Sequence, residues 1–212
     1  MAIDELLDEH EQSERVRDWL RRNGGGLVGG VVLGLALIGG WQWWQQRQQS
    51  ARMAAGERFS TVVQHLEAKD LKKAQPEVAA MVKDGGTYAV LASLQLAKTQ
   101  VEAGERDAAI ATLRAVLGEN DAMAVVVRAR LAHLLIDAGK AQEALNVLGN
   151  PEGAAALEAR GDALFALGKR EEARAAYTQA LAKLDVASPI RRLVELKLTE
   201  AGGSPARPEA RL

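Results

Sequence analysis

The chain has no cysteine, and aromatic residues make up only 4% of its 212 residues. Without cysteine, disulfides, thiolate nucleophiles, cysteine-ligated metals and cysteine-linked lipid anchors are all excluded. Few aromatic residues, and an apolar content supplied mainly by alanine and leucine, leave little from which to build strands. Alanine and leucine are strong helix formers. The composition therefore favours an all-α protein.

Clustered positive charge is also lacking, since the formal net charge is −1 and no long run of Lys or Arg occurs. Nucleic-acid binding needs a basic patch, so the sequence argues against that function. The histidines His10, His65 and His133 stand apart from one another and from any metal-binding motif. No serine lies in a nucleophile elbow, and the glycines at 24–30 lack the Lys–Ser/Thr of a phosphate-binding loop. We therefore expect no enzyme activity, no cofactor and no metal site.

One long apolar segment is present, and it reads GGGLVGGVVLGLALIGGWQWW over residues 24–44. Its part from Gly24 to Gly40 has no charged residue and would span about 25 Å as a helix. Three tryptophans follow, a residue that favours the membrane interface. A buried core helix would tolerate so many glycines poorly, and a cleaved signal peptide would not have 23 residues before its apolar run. The segment is predicted to be a transmembrane helix.

Flanking charges predict the orientation of this helix, because Lys and Arg favour its cytoplasmic side. Four arginines lie closely before the segment and two closely after it. They are Arg15, Arg17, Arg21 and Arg22 before, and Arg47 and Arg52 after. In a bacterium this bias predicts a single-pass inner-membrane protein with a cytoplasmic N-terminus and a periplasmic C-terminal domain.

Gly26, Gly30 and Gly34 recur at four-residue spacing within the segment. Such a face lets a second membrane helix approach closely, although glycine is common in membrane helices in general. We treat these three as a hypothetical helix-packing face. The acidic tail at 1–23 is predicted to form a short amphipathic helix ending at Asn23–Gly24. It is either a solvated tail or a docking segment for the cytosolic face of a membrane complex.

An internal repeat follows the apolar segment. Three segments align on the glycines Gly104, Gly139 and Gly168, which are 35 and 29 residues apart. In each segment an alanine lies five residues after the glycine, and a bulky residue lies four residues after that alanine. A small residue lies seven residues before the glycine. The alanines are Ala109, Ala144 and Ala173, the bulky residues are Leu113, Leu148 and Tyr177, and the small residues are Ala97, Ala132 and Gly161. The spacing predicts helix pairs that turn at the glycine and approach closely at the small residues.

This pattern resembles the tetratricopeptide repeat, a helix pair of about 34 residues. Gln100 stands where a large apolar residue is usual, and Pro151 is predicted to truncate the second helix of the middle unit. A fainter unit precedes these three, with Lys69 at 35 residues before Gly104. A generic alanine-rich helical bundle is the alternative. The predicted fold class is all-α, with a single N-terminal transmembrane helix followed by a tetratricopeptide-repeat-like α-solenoid.

The C-terminal end of the array is also predicted. Ser188–Pro189 has the form of an N-cap followed by proline at the first helical position. The helix after it would cap the solenoid, whose end needs a cover. The predicted organisation is a cytoplasmic acidic tail at 1–23, a transmembrane helix at 24–44, a repeat domain with its capping helix at 45–202, and a disordered tail at 203–212.

Binding in such arrays takes place mainly on the surface that the first helices build. Mapping the repeat onto this chain predicts a shallow groove suited to extended or helical peptide segments. The alternative is that these side chains are merely exposed. The predicted groove residues are Lys98, Val101, Glu102, His133, Ile136, Asp137, Glu158, Asp162 and Phe165.

Three features together carry a family resemblance: DWLRRNG at 18–24, a glycine-rich span ending GWQWW at 40–44, and the degenerate repeats. This layout resembles the YfgM-like family, the ancillary subunit of the bacterial SecYEG translocon. The resemblance implies binding to the translocon and to a membrane-anchored periplasmic chaperone of the prolyl-isomerase type. It also implies a role in passing translocated client proteins to periplasmic chaperones. A repeat scaffold for envelope assembly or division, and a modulator of envelope stress signalling, are the alternatives.

Overall fold

The computed structural model describes residues 2–118 and 121–205. Within these ranges every regular element is an α-helix and no strand occurs, as predicted. The chain divides into two compact units, the first ending at Ala54 and the second beginning at Ala55. The helices are α1 (Ala2–Glu67), α2 (Leu71–Asp84), α3 (Thr87–Glu102), α4 (Arg106–Ala115), α5 (Asp121–Asp137), α6 (Ala141–Leu148), α7 (Ala154–Ala166), α8 (Arg170–Lys183) and α9 (Arg191–Glu200).

The described residues of the first unit belong to α1, which continues past Gly24. The predicted helix end at Asn23–Gly24 is therefore wrong. The Asn23 side chain donates a hydrogen bond back to the carbonyl of Trp19 (3.1 Å), so it does not cap the helix. Within the described ranges, no single helix meets the length and hydropathy required of a membrane span. Two segments within α1, Arg17–Gly26 and Val28–Glu67, are bent by about 40° relative to each other, and as a pair they meet these requirements by length and composition.

Five turns in the second unit share one geometry. Each has a residue with positive φ, between 55° and 88°, and the next N–H donates to the carbonyl five residues earlier over 2.7–2.9 Å. This is the Schellman motif that ends a helix, and it favours glycine because a Cβ is strained at positive φ. The five residues are Lys69, Gly104, Gly139, Gly168 and Gly202. Lys69 confirms the faint first unit, and Gly202 had not been predicted as a turn of this kind.

The predicted packing within the helix pairs is confirmed. The small residues at the crossing points and the alanines after the turns are all buried. A Cβ added to Gly161 would collide with the ring of Tyr177, so only glycine permits this approach of α7 to α8. The helix α6 has only eight residues and ends just before Gly149, whose φ is 57°. This confirms the truncation predicted from Pro151.

Gln100 and α9 differ from the usual repeat in ways the structure explains. Gln100 is buried, and its Oε1 accepts a hydrogen bond from the Thr112 hydroxyl (2.9 Å), which satisfies the polar atom. The last helix begins at Arg191 rather than at the predicted Pro189, because Ser188 and Pro189 lie in a turn whose carbonyl at Ser188 accepts the Arg191 N–H (3.1 Å).

Gly202 lies 34 residues after Gly168, so α9 is in register as the first helix of a further unit. Seven residues before Gly202, where the earlier units have alanine or glycine, stands Glu195. Its carboxylate accepts a hydrogen bond from Arg191 Nε (3.1 Å). A charged side chain at this crossing point disfavours a second helix and suits the end of an array.

Candidate protein-binding groove

The helices α3 and α5, each the first helix of its pair, enclose an open apolar cleft of about 360 Å³. We call it the α3–α5 cleft. Its floor includes Ala97 and Leu113, both buried, and Val101, which is 42% exposed. Charged side chains stand around it. These are Lys98 and Glu102 from α3, and Arg130 and His133 from α5. The arrangement can receive an apolar group from a partner while its rim meets polar neighbours.

A second group of side chains joins α5, α7, α8 and α9, and we call it the ion cluster. His133 Nε2 lies 3.2 Å from Glu158 Oε2 and 3.4 Å from Asp162 Oδ2. Lys197 Nζ contacts Glu158 Oε1 and lies 2.6 Å from Asp162 Oδ2. The Tyr177 hydroxyl donates to Asp162 Oδ1 over 2.7 Å. Both carboxylates are thereby held between two cations.

The ion cluster shifts the protonation equilibria of its members. Hydrogen bonds to Asp162 and then to Glu158 raise the pKa of His133 to about 9, so that its imidazole is charged at neutral pH. Burial by itself would raise the pKa of both carboxyls, but hydrogen bonds from His133 and Lys197 outweigh it and lower them. Burial by itself would lower the pKa of Lys197, but hydrogen bonds to the same two carboxylates outweigh burial and raise it. The cluster is thus close to neutral in total charge.

The spacing of His133, Glu158 and Asp162 also allows a metal ion, since one ligand atom from each lies within 4.8 Å of the others. No metal site had been predicted here. In this structure the ammonium of Lys197 contacts both carboxylates, so a cation would have to displace it. The chemistry of the group is that of an internal ion-pair network.

The structure divides the nine predicted groove residues among different environments. Four of them line the α3–α5 cleft, namely Lys98, Val101, Glu102 and His133. Glu158 and Asp162, with His133, form the ion cluster. Ile136 and Phe165 are partly buried against the core, and Asp137 is exposed. The nine residues therefore do not all line one cleft.

Sequence reasoning missed Lys197 and Arg130. The spacing of 34 residues from Gly168 to Gly202 could have identified α9 as the first helix of a further unit, and with it Lys197 as a neighbour of Glu158. Nothing in the sequence marked Arg130 as a residue of the cleft.

The three glycines of the hypothetical packing face lie uncovered in the first unit. A Cβ added to Gly26, Gly30 or Gly34 would meet nothing within 4 Å. The apolar side chains along the same segment, from Val28 to Ile38, are exposed. The segment thus presents an apolar surface with a flat strip of small residues.

Stacked pairs of helices with Schellman turns define the class of this protein, a tetratricopeptide-repeat-like α-solenoid. A family model described as a tetratricopeptide repeat-like domain matches residues 17–203. An ancillary SecYEG translocon subunit of Escherichia coli K12 is 34% identical over 199 residues, which cover 90% of this chain and 95% of that protein. A protein of the same name from Haemophilus influenzae Rd is 26% identical over 182 residues, covering 82% and 89%. The chain belongs to the YfgM-like family.

Proposed function

We propose that this chain is a non-catalytic, membrane-anchored protein-interaction subunit that associates with the SecYEG translocon. The observation that carries the proposal is the 34% identity to an ancillary SecYEG translocon subunit across 90% of the chain. That similarity includes the apolar segment as well as the repeats. An adaptor role fits a fold made of stacked helix pairs, whose exposed surfaces serve recognition.

Residues 24–44 are the proposed anchor, in the bacterial inner membrane, with residues 1–23 in the cytoplasm and the repeat domain 45–202 in the periplasm. The exposed apolar side chains support this, since exposed apolar surface of that extent favours lipid or a partner. The aromatic belt supports it too. The rings of Trp41 and Trp44 are in contact at a tilt of 45° with their centroids 5.3 Å apart, and the Arg47 guanidinium lies 4.9 Å from the centre of the Trp43 ring.

The repeat domain would hold the periplasmic partners. We propose that it binds a membrane-anchored chaperone of the prolyl-isomerase type and helps to pass translocated client proteins to periplasmic chaperones. The α3–α5 cleft supports this role, because it is apolar and open and has charged groups around it. Such a surface suits an extended or helical peptide segment.

Co-purification in mild detergent tests the proposal. The full chain should recover translocon subunits from membranes, and Gly26→Leu, Gly30→Leu and Gly34→Leu together should reduce that recovery by blocking helix approach. A matched control changes Gly29 and Gly39, where an added Cβ is equally unobstructed, and should retain recovery. Recovery of division or stress-signalling proteins in place of the translocon would overturn the proposal, as would turnover of a substrate by the purified protein.

A further inference from the structure

The charge offered by the groove differs from the charge its sequence suggests. Glu102, Asp137, Glu158 and Asp162 outnumber the basic residues among the predicted positions, which would favour a basic partner. In the structure, however, Glu158 and Asp162 already lie between His133 and Lys197. Their charge is compensated inside the domain and is not available to a ligand.

Around the α3–α5 cleft the remaining balance is positive. Lys98 and Glu102 face each other on α3, with Nζ and Oε1 at 3.8 Å, and offset one another. Arg130 has no carboxylate within ion-pairing distance among the residues that the structure describes, and it is exposed at the edge of the cleft. An exposed guanidinium beside an apolar cleft favours a carboxylate next to an apolar group.

The size and lining of the cleft limit what enters it. Its volume of about 360 Å³ admits a bulky apolar side chain, and its floor of Ala97, Val101 and Leu113 provides no hydrogen-bonding side chain. Val101 is exposed to 42%, so covering it removes apolar surface from water and favours binding.

We propose that the α3–α5 cleft binds a partner protein segment in which a bulky apolar residue is flanked by acidic residues, with Arg130 contacting a flanking carboxylate. This rests on the proposed function of the domain in protein binding, and it specifies the chemistry of the partner. The apolar residue anchors the segment, and the acidic flanks distinguish it from basic segments.

Fluorescence anisotropy on the full chain in detergent micelles tests this with three short synthetic peptides. One has a central phenylalanine flanked by aspartates, one the same phenylalanine flanked by lysines, and one an alanine between aspartates. At low salt the first should bind about tenfold more tightly than the second, which is about 1.4 kcal/mol. The third should bind much more weakly than the first, because it lacks the anchor.

Two variants and a control make the test specific. Arg130→Glu should reverse the preference between the aspartate and lysine peptides, which a merely structural role of Arg130 would not do. Val101→Asp should weaken both phenylalanine peptides. Lys72→Glu makes the same change of charge on α2, at an exposed site away from the cleft, and should leave the preference unchanged.

Equal binding of the two phenylalanine peptides, a preference for lysine, or an unchanged preference in Arg130→Glu would each overturn the inference. Recovery of translocon subunits, measured on the same preparations, tests the proposed function separately. Retained recovery with failed peptide discrimination would overturn only the cleft assignment, whereas lost recovery would count against the proposed function itself.

Discussion

The α3–α5 cleft and the ion cluster lie side by side, share His133, and differ in what they offer to a partner. Lys98, His133, Asp162 and Leu196 occupy equivalent positions in successive first helices, by the spacings of their turns. Beside α3 the neighbours are apolar and leave an open cleft. Between α5, α7 and α9 they are charged and close on one another. Equivalent positions in a repeat therefore line an open cleft or form an internal contact according to their neighbours.

The cleft region depends on apolar packing, and Leu113→Ala should have the largest effect. Leu113 is 1% exposed and belongs to the main core, so its truncation should lower the free energy of unfolding by about 3 kcal/mol. Urea titration followed by circular dichroism measures this. Leu117→Ala, at a side chain exposed to 38%, is the control and should change little. A loss no larger than that of the control would show that the cleft floor is not part of the core.

Next to the ion cluster, close approach of helices is the more sensitive feature. Gly161→Ala places a methyl group against the Tyr177 ring and should lower the free energy of unfolding by about 2 kcal/mol. Gly153→Ala is the control, since its Cβ would lie 3.7 Å from Val125 Cγ1, an ordinary contact. Thermal melting of both variants decides the matter. If the two melt alike, α7 and α8 have more room to separate than the structure indicates.

Lys197→Met tests whether the ion cluster holds α9 in place. It leaves Glu158 and Asp162 with His133 as their remaining cationic partner, and should lower the free energy of unfolding by about 1.5 kcal/mol, below the loss for fully buried pairs because the cluster is partly exposed. Arg192→Met, on the exposed side of the same helix, should be neutral. Hydrogen exchange of α9 amides should accelerate in the first variant alone. Unchanged exchange would refute the role of Lys197.

The smallest expected effect is on pH dependence, because the His133 side chain is 41% exposed and solvent screening reduces its contribution to stability. The pKa of His133 is raised to about 9 in the folded protein, against about 6.5 when unfolded. Its stabilising contribution is therefore complete below about pH 6.5 and is lost as the pH rises through about 9. The melting temperature of the wild-type chain should fall over this window by more than that of His133→Gln. Parallel curves would mean that the imidazole is not charged in the cluster.

Much of this architecture follows from local patterns. The three turn glycines, the small crossing residues and Pro151 predicted α3–α8 because each acts on its own neighbourhood: glycine permits positive φ, small side chains permit close approach, and proline ends a helix. The end of the first predicted helix at Asn23–Gly24 was wrong, since the helical hydrogen bonds of α1 continue past a single weak stop signal.

The groove was predicted less well, for a physical reason. Position in the repeat grouped Lys98, Val101, Glu102 and His133, and the structure brings these four residues to one cleft. It did not show that Glu158 and Asp162 are neutralised, because their partner Lys197 comes from α9, which places it 39 residues after Glu158 and 35 residues after Asp162. Electrostatic pairing depends on the distance between charges in space, and local sequence patterns do not contain that distance.

The amino-acid sequence thus suffices to establish a helical repeat array, its turns and the apolar segment before it, because these depend on properties of each residue and on its near neighbours. Which charges remain free for a partner depended on the tertiary structure. Packing α9 against α8 brings Lys197 onto two carboxylates of α7 and leaves Arg130 without such a partner among the described residues. The free charge of the groove is therefore decided by helix packing and not by its composition.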